Sequence, residues 1–167
     1  MPADSPSADG GQVELQVRPC TVADVGVMRG VQPAGADLAG TFFEAQQAGG
    51  VVYLIAWDGD EPLGDGVLVT GAGGVVPELK NLNVRAAHRS RGVGSALVRA
   101  AEELCRAQGA DRMQVGVGLD NPRARALYER LGYVGTGEQD TVTYQYVDDD
   151  GHQRTATETS EQLIRRL

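Results

Sequence analysis

Cysteine is scarce in this chain. Cys20 and Cys105 are the only two among 167 residues, too few and too far apart for a disulfide framework or a zinc site. Both sit among apolar neighbours, so a reduced, cytoplasmic protein is expected. No stretch approaches the ~20 consecutive apolar residues of a membrane-spanning helix. Positive charge is in the minority, 15 Lys and Arg against 23 Asp and Glu, for a formal net charge of −8. That balance argues against general nucleic-acid binding and favours a cationic substrate. The Gly-Lys-Ser/Thr of a Walker A loop is absent. Histidine is limited to His88 and His152; neither has a triad-like context, both read as surface residues, and no metal is expected.

Length and a hydrophobic content of 41% suffice for one core. The first eleven residues, MPADSPSADGG, lack apolar periodicity and read as a disordered tail, not a targeting signal. Residues 12–167 read as a single domain without internal repeats.

Against that acidic background, the stretch from Lys80 to Arg99 holds Lys80, Arg85, Arg89, Arg91 and Arg99 and no acid. At its centre runs Arg89-Ser90-Arg91-Gly92-Val93-Gly94-Ser95. Leu79, Leu82 and Val84 before it form a strand-like run, and Val93, Ala96, Leu97, Ala100, Ala101 and Leu104 recur at helical spacing. The loop therefore opens a helix, whose first amides and dipole attract an anion. Glycines at 92 and 94 allow close backbone approach, and Arg89 and Arg91 add charge-assisted hydrogen bonds suited to phosphate. The competing reading is a solvated basic loop.

Other elements follow from alternation and punctuation. Val13, Leu15 and Val17 mark a first strand, and Thr21 N-caps a helix. A short helix spans about 41–48. Strands at 51–57 and 63–70 form a hairpin around Asp58-Gly59-Asp60. A strand from about 77 to 84 feeds the loop, and the long helix ends near Gly109. Met113, Val115 and Val117 alternate as the next strand, and Asn121-Pro122 opens a helix ended by Gly132. Segments 141–147 and 155–164 close the chain as a hairpin, with a helix at the extreme C-terminus as an alternative. Strands 77–84 and 113–119 are joined by a helix and must run parallel, so the sheet is mixed.

In this order the segments ELKNLNVRAAHRSRGVGSAL and NPRARALYERLGYV resemble the GNAT family of N-acetyltransferases, from about Val13 to the C-terminus. The resemblance implies an α/β (α+β in some schemes) fold. Its central sheet is mixed and mostly antiparallel, of about seven strands, with a splayed parallel pair and helices on both faces. It implies acetyl-CoA as cosubstrate, its pyrophosphate on the loop from Arg89 through Ser95 and its pantetheine arm along Leu82, Asn83 and Val84, with Asn121 and Arg125 also on the cofactor. The amide near Val84 would polarise the thioester carbonyl. Tyr128 matches the family's general acid, poised to protonate the departing thiolate; the competing reading is a core tyrosine. Glu78 stands where several members carry a glutamate base acting directly or through water, and a salt bridge to Lys80 is its competing explanation. The reaction implied is direct attack of an amine in a ternary complex, with neither cysteine placed as a nucleophile.

The acceptor end, roughly 30–48 and 138–146, matches no motif. Phe42, Phe43, Trp57 and Tyr144 can floor an aromatic slot, and Asp37, Glu44, Glu138 and Asp140 can attract a cation, but core packing and solvation explain them equally. The acidic balance favours a small-molecule primary amine over a protein N-terminus or lysine. A dinucleotide enzyme fails because Leu97 stands at the third glycine position and Asp111 precedes its strand. A non-catalytic acetyl-CoA sensor would need neither Tyr128 nor Glu78. A homodimer is left open.

Overall fold

A computed structural model describes residues 15–33 and 35–167. The expected tail, and Val13 of the expected first strand, lie outside the described residues. The chain runs β1 (Leu15–Pro19), α1 (Val22–Val31), α2 (Leu38–Ala48), β2 (Val51–Asp58), β3 (Glu61–Val69) and β4 (Glu78–Val84). A 3-10 turn (Ala86–His88) follows, then α3 (Val93–Ala107), β5 (Arg112–Gly118), α4 (Pro122–Arg130), β6 (Val134–Val147) and β7 (Gln153–Arg166). The seven strands form one sheet in the order β1-β2-β3-β4-β5-β7-β6. Every neighbouring pair is antiparallel except β4 and β5.

Strand alternation divides the core between the two faces of the sheet. Leu54, Leu68, Leu79, Met113, Val115 and Val117 pack with α3 residues Val93, Leu97, Val98 and Ala101 and with Tyr128 of α4. Tyr53, Ile55, Trp57 and Val67 point the other way, onto α1 and α2 through Val25, Met28 and Ala39. Helices thus cover both faces, and Glu78 lies on the α1/α2 side because its neighbour Leu79 faces α3.

The closing hairpin differs from expectation. β6 begins at Val134, not near 141, and the C-terminus is strand to Arg166 with no helix. β6 is an edge strand exposed along its whole length, so no apolar alternation marks its first half. β7 is held by pairing with β5 from Arg112↔Arg166 to Gly118↔Ser160, which places Leu163 in the core.

The start of α1 is pinned electrostatically. Arg18 donates to both oxygens of the buried Asp24 carboxylate (2.6 and 2.9 Å), and the Thr21 N–H and hydroxyl donate to the same group (2.7 and 2.8 Å). The Arg18 bonds, with those from Thr21, hold the Asp24 carboxyl down to about 2. A carboxyl depressed on folding stabilises the protein above its unfolded pKa of about 3.9, and that contribution is lost as pH falls toward the folded value. Arg18→Ala is expected to cost about 1.5–3 kcal/mol at neutral pH and to flatten the loss of stability on acidification, read from thermal melts across pH.

Candidate active site

β4 is an interior strand, yet Lys80, Asn81 and Asn83 are exposed. Its register explains why. β3 pairs with β4 as far as Gly64↔Val84, whereas β5 pairs only at Glu78↔Gln114 and Leu79↔Val115 before the parallel neighbours part. A bulge at the parting point sets Asn81 and Leu82 against the single residue Gly66, with Asn81 at φ +52°. Beyond it, the Arg85 N–H donates to the Leu63 carbonyl (3.0 Å). That makes Arg85 and Leu63 the hydrogen-bonded pair of the ladder. The next pair, Val84 and Gly64, is then non-bonded, so the Val84 N–H and C=O turn away from β3 toward the gap left by β5. The Val84 carbonyl accepts from Arg89 Nε (3.2 Å).

The basic loop lies at the end of this gap. Ser90 and Gly92 take left-handed conformations (φ +63° and +80°), and Gly92 is the residue before α3. The first intrahelical bond runs from Ala96 N–H to the Gly92 carbonyl, so the amides of Val93, Gly94 and Ser95 have no acceptor within the helix. Among the described residues no side chain caps them. Arg91 and Arg89 are exposed beside them. Arg123, on the first turn of α4, donates to Ser90 Oγ (3.0 Å) and fastens the loop to that helix. A Cβ on Gly94 would lie 3.0 Å from Leu127 Cδ2 and 3.7 Å from Val84 Cγ2, so strand, loop and α4 meet at this glycine.

Asn121 caps α4, its side-chain oxygen accepting from the Ala124 N–H (3.0 Å). Arg125 donates to Glu161 (2.6 Å) and Glu129 (2.9 Å). Tyr128 is 4% exposed, its ring set edge-on to Tyr133 at 6.0 Å. Tyr133 in turn donates to the buried Glu102 (2.8 Å), which Arg165 also binds. The Tyr128 hydroxyl has no hydrogen-bond partner among the described residues, and burial pushes its pKa up to about 12.

Glu78 lies across the sheet from Tyr128. Lys80 Nζ is 3.6 Å from its carboxylate, a long contact from a half-exposed lysine. His88 departs from expectation: it is buried, not a surface residue, with Nε2 3.0 Å from Glu61 at the β2–β3 turn. Trp57 is core and Phe42 packs edge-on against Tyr53 at 5.3 Å, whereas Tyr144 is exposed and borders a cleft of about 500 Å3 with Leu119, Asp120 and Glu158. Asp37 caps α2 and pairs with Arg29 (2.6 Å). Asp148, Asp150 and His152 gather at the β6–β7 turn, where Asp148 already accepts from the Asp150 and His152 amides and from Arg154.

Two features had no signal in the sequence. Asp65 is buried, accepts from Tyr53 Oη (2.8 Å), and burial raises its pKa. Gln32 spans from Tyr53 (3.1 Å) to the Ala39 N–H (2.8 Å), tying α2 to this carboxylate. The second feature is a set of β7 side chains beside Glu78.

The sequence matches the Acetyltransferase (GNAT) family over residues 27–133. The chain belongs to this family. It is 35% identical over 83 residues to a mycothiol acetyltransferase of Beutenbergia cavernae, covering 50% of this chain and 28% of that protein. The chain thus spans less than a third of the length of that relative. Among solved structures, an N-acetyltransferase from Staphylococcus aureus Mu50 superposes with a TM-score of 0.69 at 15% identity, covering 91% of this chain and 98% of that one. A GNAT family acetyltransferase from Elizabethkingia anophelis, crystallised with acetyl-CoA bound, gives a TM-score of 0.63 at 15% identity over 93% of this chain and 100% of that one.

Proposed function

We propose that this chain is an acetyl-CoA-dependent N-acetyltransferase that acetylates a primary amine of a small molecule by direct attack in a ternary complex. The observation that carries the reading is the parting of β4 from β5, with the Val84 N–H turned into the gap and the open amides of Val93, Gly94 and Ser95 at its end. A cosubstrate with amide groups along its arm and a pyrophosphate at one end fits that layout. When bound it supplies an activated acetyl thioester.

The chain's own groups then divide the work. Amides of α3, with Arg89, Arg91 and the Arg123-braced Ser90, hold the pyrophosphate. Leu82, Asn83 and Val84 line the arm, with Asn121 beside it, and the Val84 N–H stabilises negative charge as it develops on the thioester oxygen. Arg125 acts indirectly, orienting α4 through its bonds to Glu161 and Glu129. Glu78 takes a proton from the amine. That matters because an amine of pKa near 10.4 is deprotonated at pH 7 only at a cost of about 4.6 kcal/mol. Tyr128 gives a proton to the leaving sulfur. Burial pushes both cysteine thiols up to about 11, which supports direct transfer over a thiol-bound acetyl group.

Initial rates varied in both substrates are expected to give intersecting lines. Parallel lines, or an acetylated protein seen by mass spectrometry in the absence of amine, would overturn direct attack. Gly94→Val forces Leu127 away from α3 and is expected to cost about 1–3 kcal/mol of stability. It also raises the KM for acetyl-CoA, by about tenfold for each 1.4 kcal/mol of binding lost; a thermal melt and a titration check the two effects.

A further inference from the structure

β5 alternates between faces, and Met113, Val115 and Val117 face α3, so Gly116 and Gly118 face the side of Glu78. Across the ladder, Gly116 pairs with Gln162 and Gly118 with Ser160. A methyl group placed on Gly116 would sit 3.4 Å from Gln162 Nε2, 3.7 Å from Glu78 Oε1 and 3.7 Å from Ser160 Oγ. One carboxylate, one amide and one hydroxyl, from two strands on either side of β5, thus surround a single point above a bare backbone. Any side chain at 116, even a methyl group, would fill that point.

Gln162 is anchored at its backbone and free at its head. β6 bulges opposite it, the register moving from Gly135↔Leu163 to Gln139↔Glu161, and Thr136 Oγ1 donates to the Gln162 carbonyl (2.9 Å). The side-chain Oε1 is buried and has no hydrogen-bond partner among the described residues. Nor does its amide nitrogen bond to any described residue. Leaving a buried amide oxygen unpaired is costly, and native structures pair nearly all such groups. The amide nitrogen is the end nearest the point above Gly116; because the two ends of a glutamine amide are assigned from their surroundings, a turn about the last side-chain bond brings the oxygen to that point instead.

We infer that Gln162, assisted by Ser160, holds the attacking amine of the acceptor, and that this makes the site selective for primary amines. The inference rests on the acetyl-transfer reading above. A primary amine brings two N–H groups in its neutral form. Glu78 accepts the proton that must leave, and Gln162 Oε1 accepts an N–H that stays, which fixes the direction of the nitrogen lone pair. The Ser160 hydroxyl oxygen accepts the third N–H of the ammonium form in which the amine arrives at neutral pH. An N-methylated amine lacks one of these hydrogens and puts a methyl group against the same oxygen. A site built to accept a hydrogen bond discriminates strongly against an analogue that lacks the donor.

The test compares wild type, Gln162→Met and Gly116→Ala with a reference primary amine and its N-methyl derivative. Methionine keeps the length of the side chain and removes the acceptor. The methyl group of Gly116→Ala meets its neighbours at ordinary contact distances, so it fills the point without disturbing the strand. Both variants are expected to lower kcat/KM for the primary amine at least tenfold, with the KM for acetyl-CoA and the melting temperature unchanged. Gln162→Met should also shrink the preference for the primary over the N-methyl amine severalfold, an effect that a merely structural glutamine would not produce. Unchanged kcat/KM and unchanged preference in both variants would overturn the assignment while leaving acetyl transfer intact. A wild type that acetylates no amine would remove the acetyl-transfer reading and this inference with it.

Discussion

Tyr128→Phe is expected to lower kcat by about 10²–10⁴, the range in which a positioned general acid contributes, without changing the affinity for acetyl-CoA or the melting temperature. The ring belongs to the core on the α3 face and stands edge-on to Tyr133, and phenylalanine retains both contacts. Only the hydroxyl is lost, and that hydroxyl supports nothing in the fold because it has no partner among the described residues. Burial pushes its pKa up to about 12, so the group is protonated throughout the working range and is available as a donor. Activity that depends on it persists as pH rises and is lost only as pH approaches about 12. A stopped assay of wild type and Tyr128→Phe, with melting curves for both, checks the result. A fall in stability that matched the fall in rate would assign Tyr128 to packing alone.

The second large effect is expected at Glu78. Glu78→Gln should reduce kcat/KM for the amine by about 10²-fold or more near pH 7, with little change in affinity for acetyl-CoA. The loss should be greatest at low pH, where the amine is protonated and most needs a base. It should shrink toward high pH as the amine, of pKa near 10.4, loses its proton unaided. The contact with Lys80 offers a control. At 3.6 Å, with the lysine half exposed, it is worth little as an ion pair, so Lys80→Ala should leave the pH profile in place. Activity of Glu78→Gln equal to wild type across the pH range would remove Glu78 from the mechanism.

What could be read from sequence depended on how local each signal is. The Arg89–Ser95 loop and the Asn121-Pro122 start of α4 are written in glycine spacing and capping residues, which act within a few positions, and both stand where they were expected. The capping of α1 at Thr21 was legible for the same reason. The first half of β6 was not, because an edge strand exposed on both faces and interrupted by Gly135 and Gly137 carries no period-2 pattern. Burial of His88 could not be read either, since its partner Glu61 comes from a hairpin 27 residues away. Gln162 shows the same limit within the site. Its sequence neighbours describe only a strand, and its meeting with Glu78 above Gly116 exists through the β4–β5–β7 register alone. The acceptor end is therefore where motif reading stops and strand geometry takes over.

In the reaction we propose, the parting of β4 and β5 separates the donor from the acceptor. The donor side, with Val84, the loop and Tyr128, lies toward α3 and α4. The acceptor side, with Glu78 and Gln162, lies on the opposite face. The most direct test of this arrangement is release of free thiol from acetyl-CoA by the purified protein, measured with a panel of small primary amines and of peptides. Saturable thiol release that requires a small amine, with one acetyl group appearing on that amine for each thiol, is the result predicted. Tight binding of acetyl-CoA with no thiol released on any acceptor would contradict it and mark the chain as a binding module.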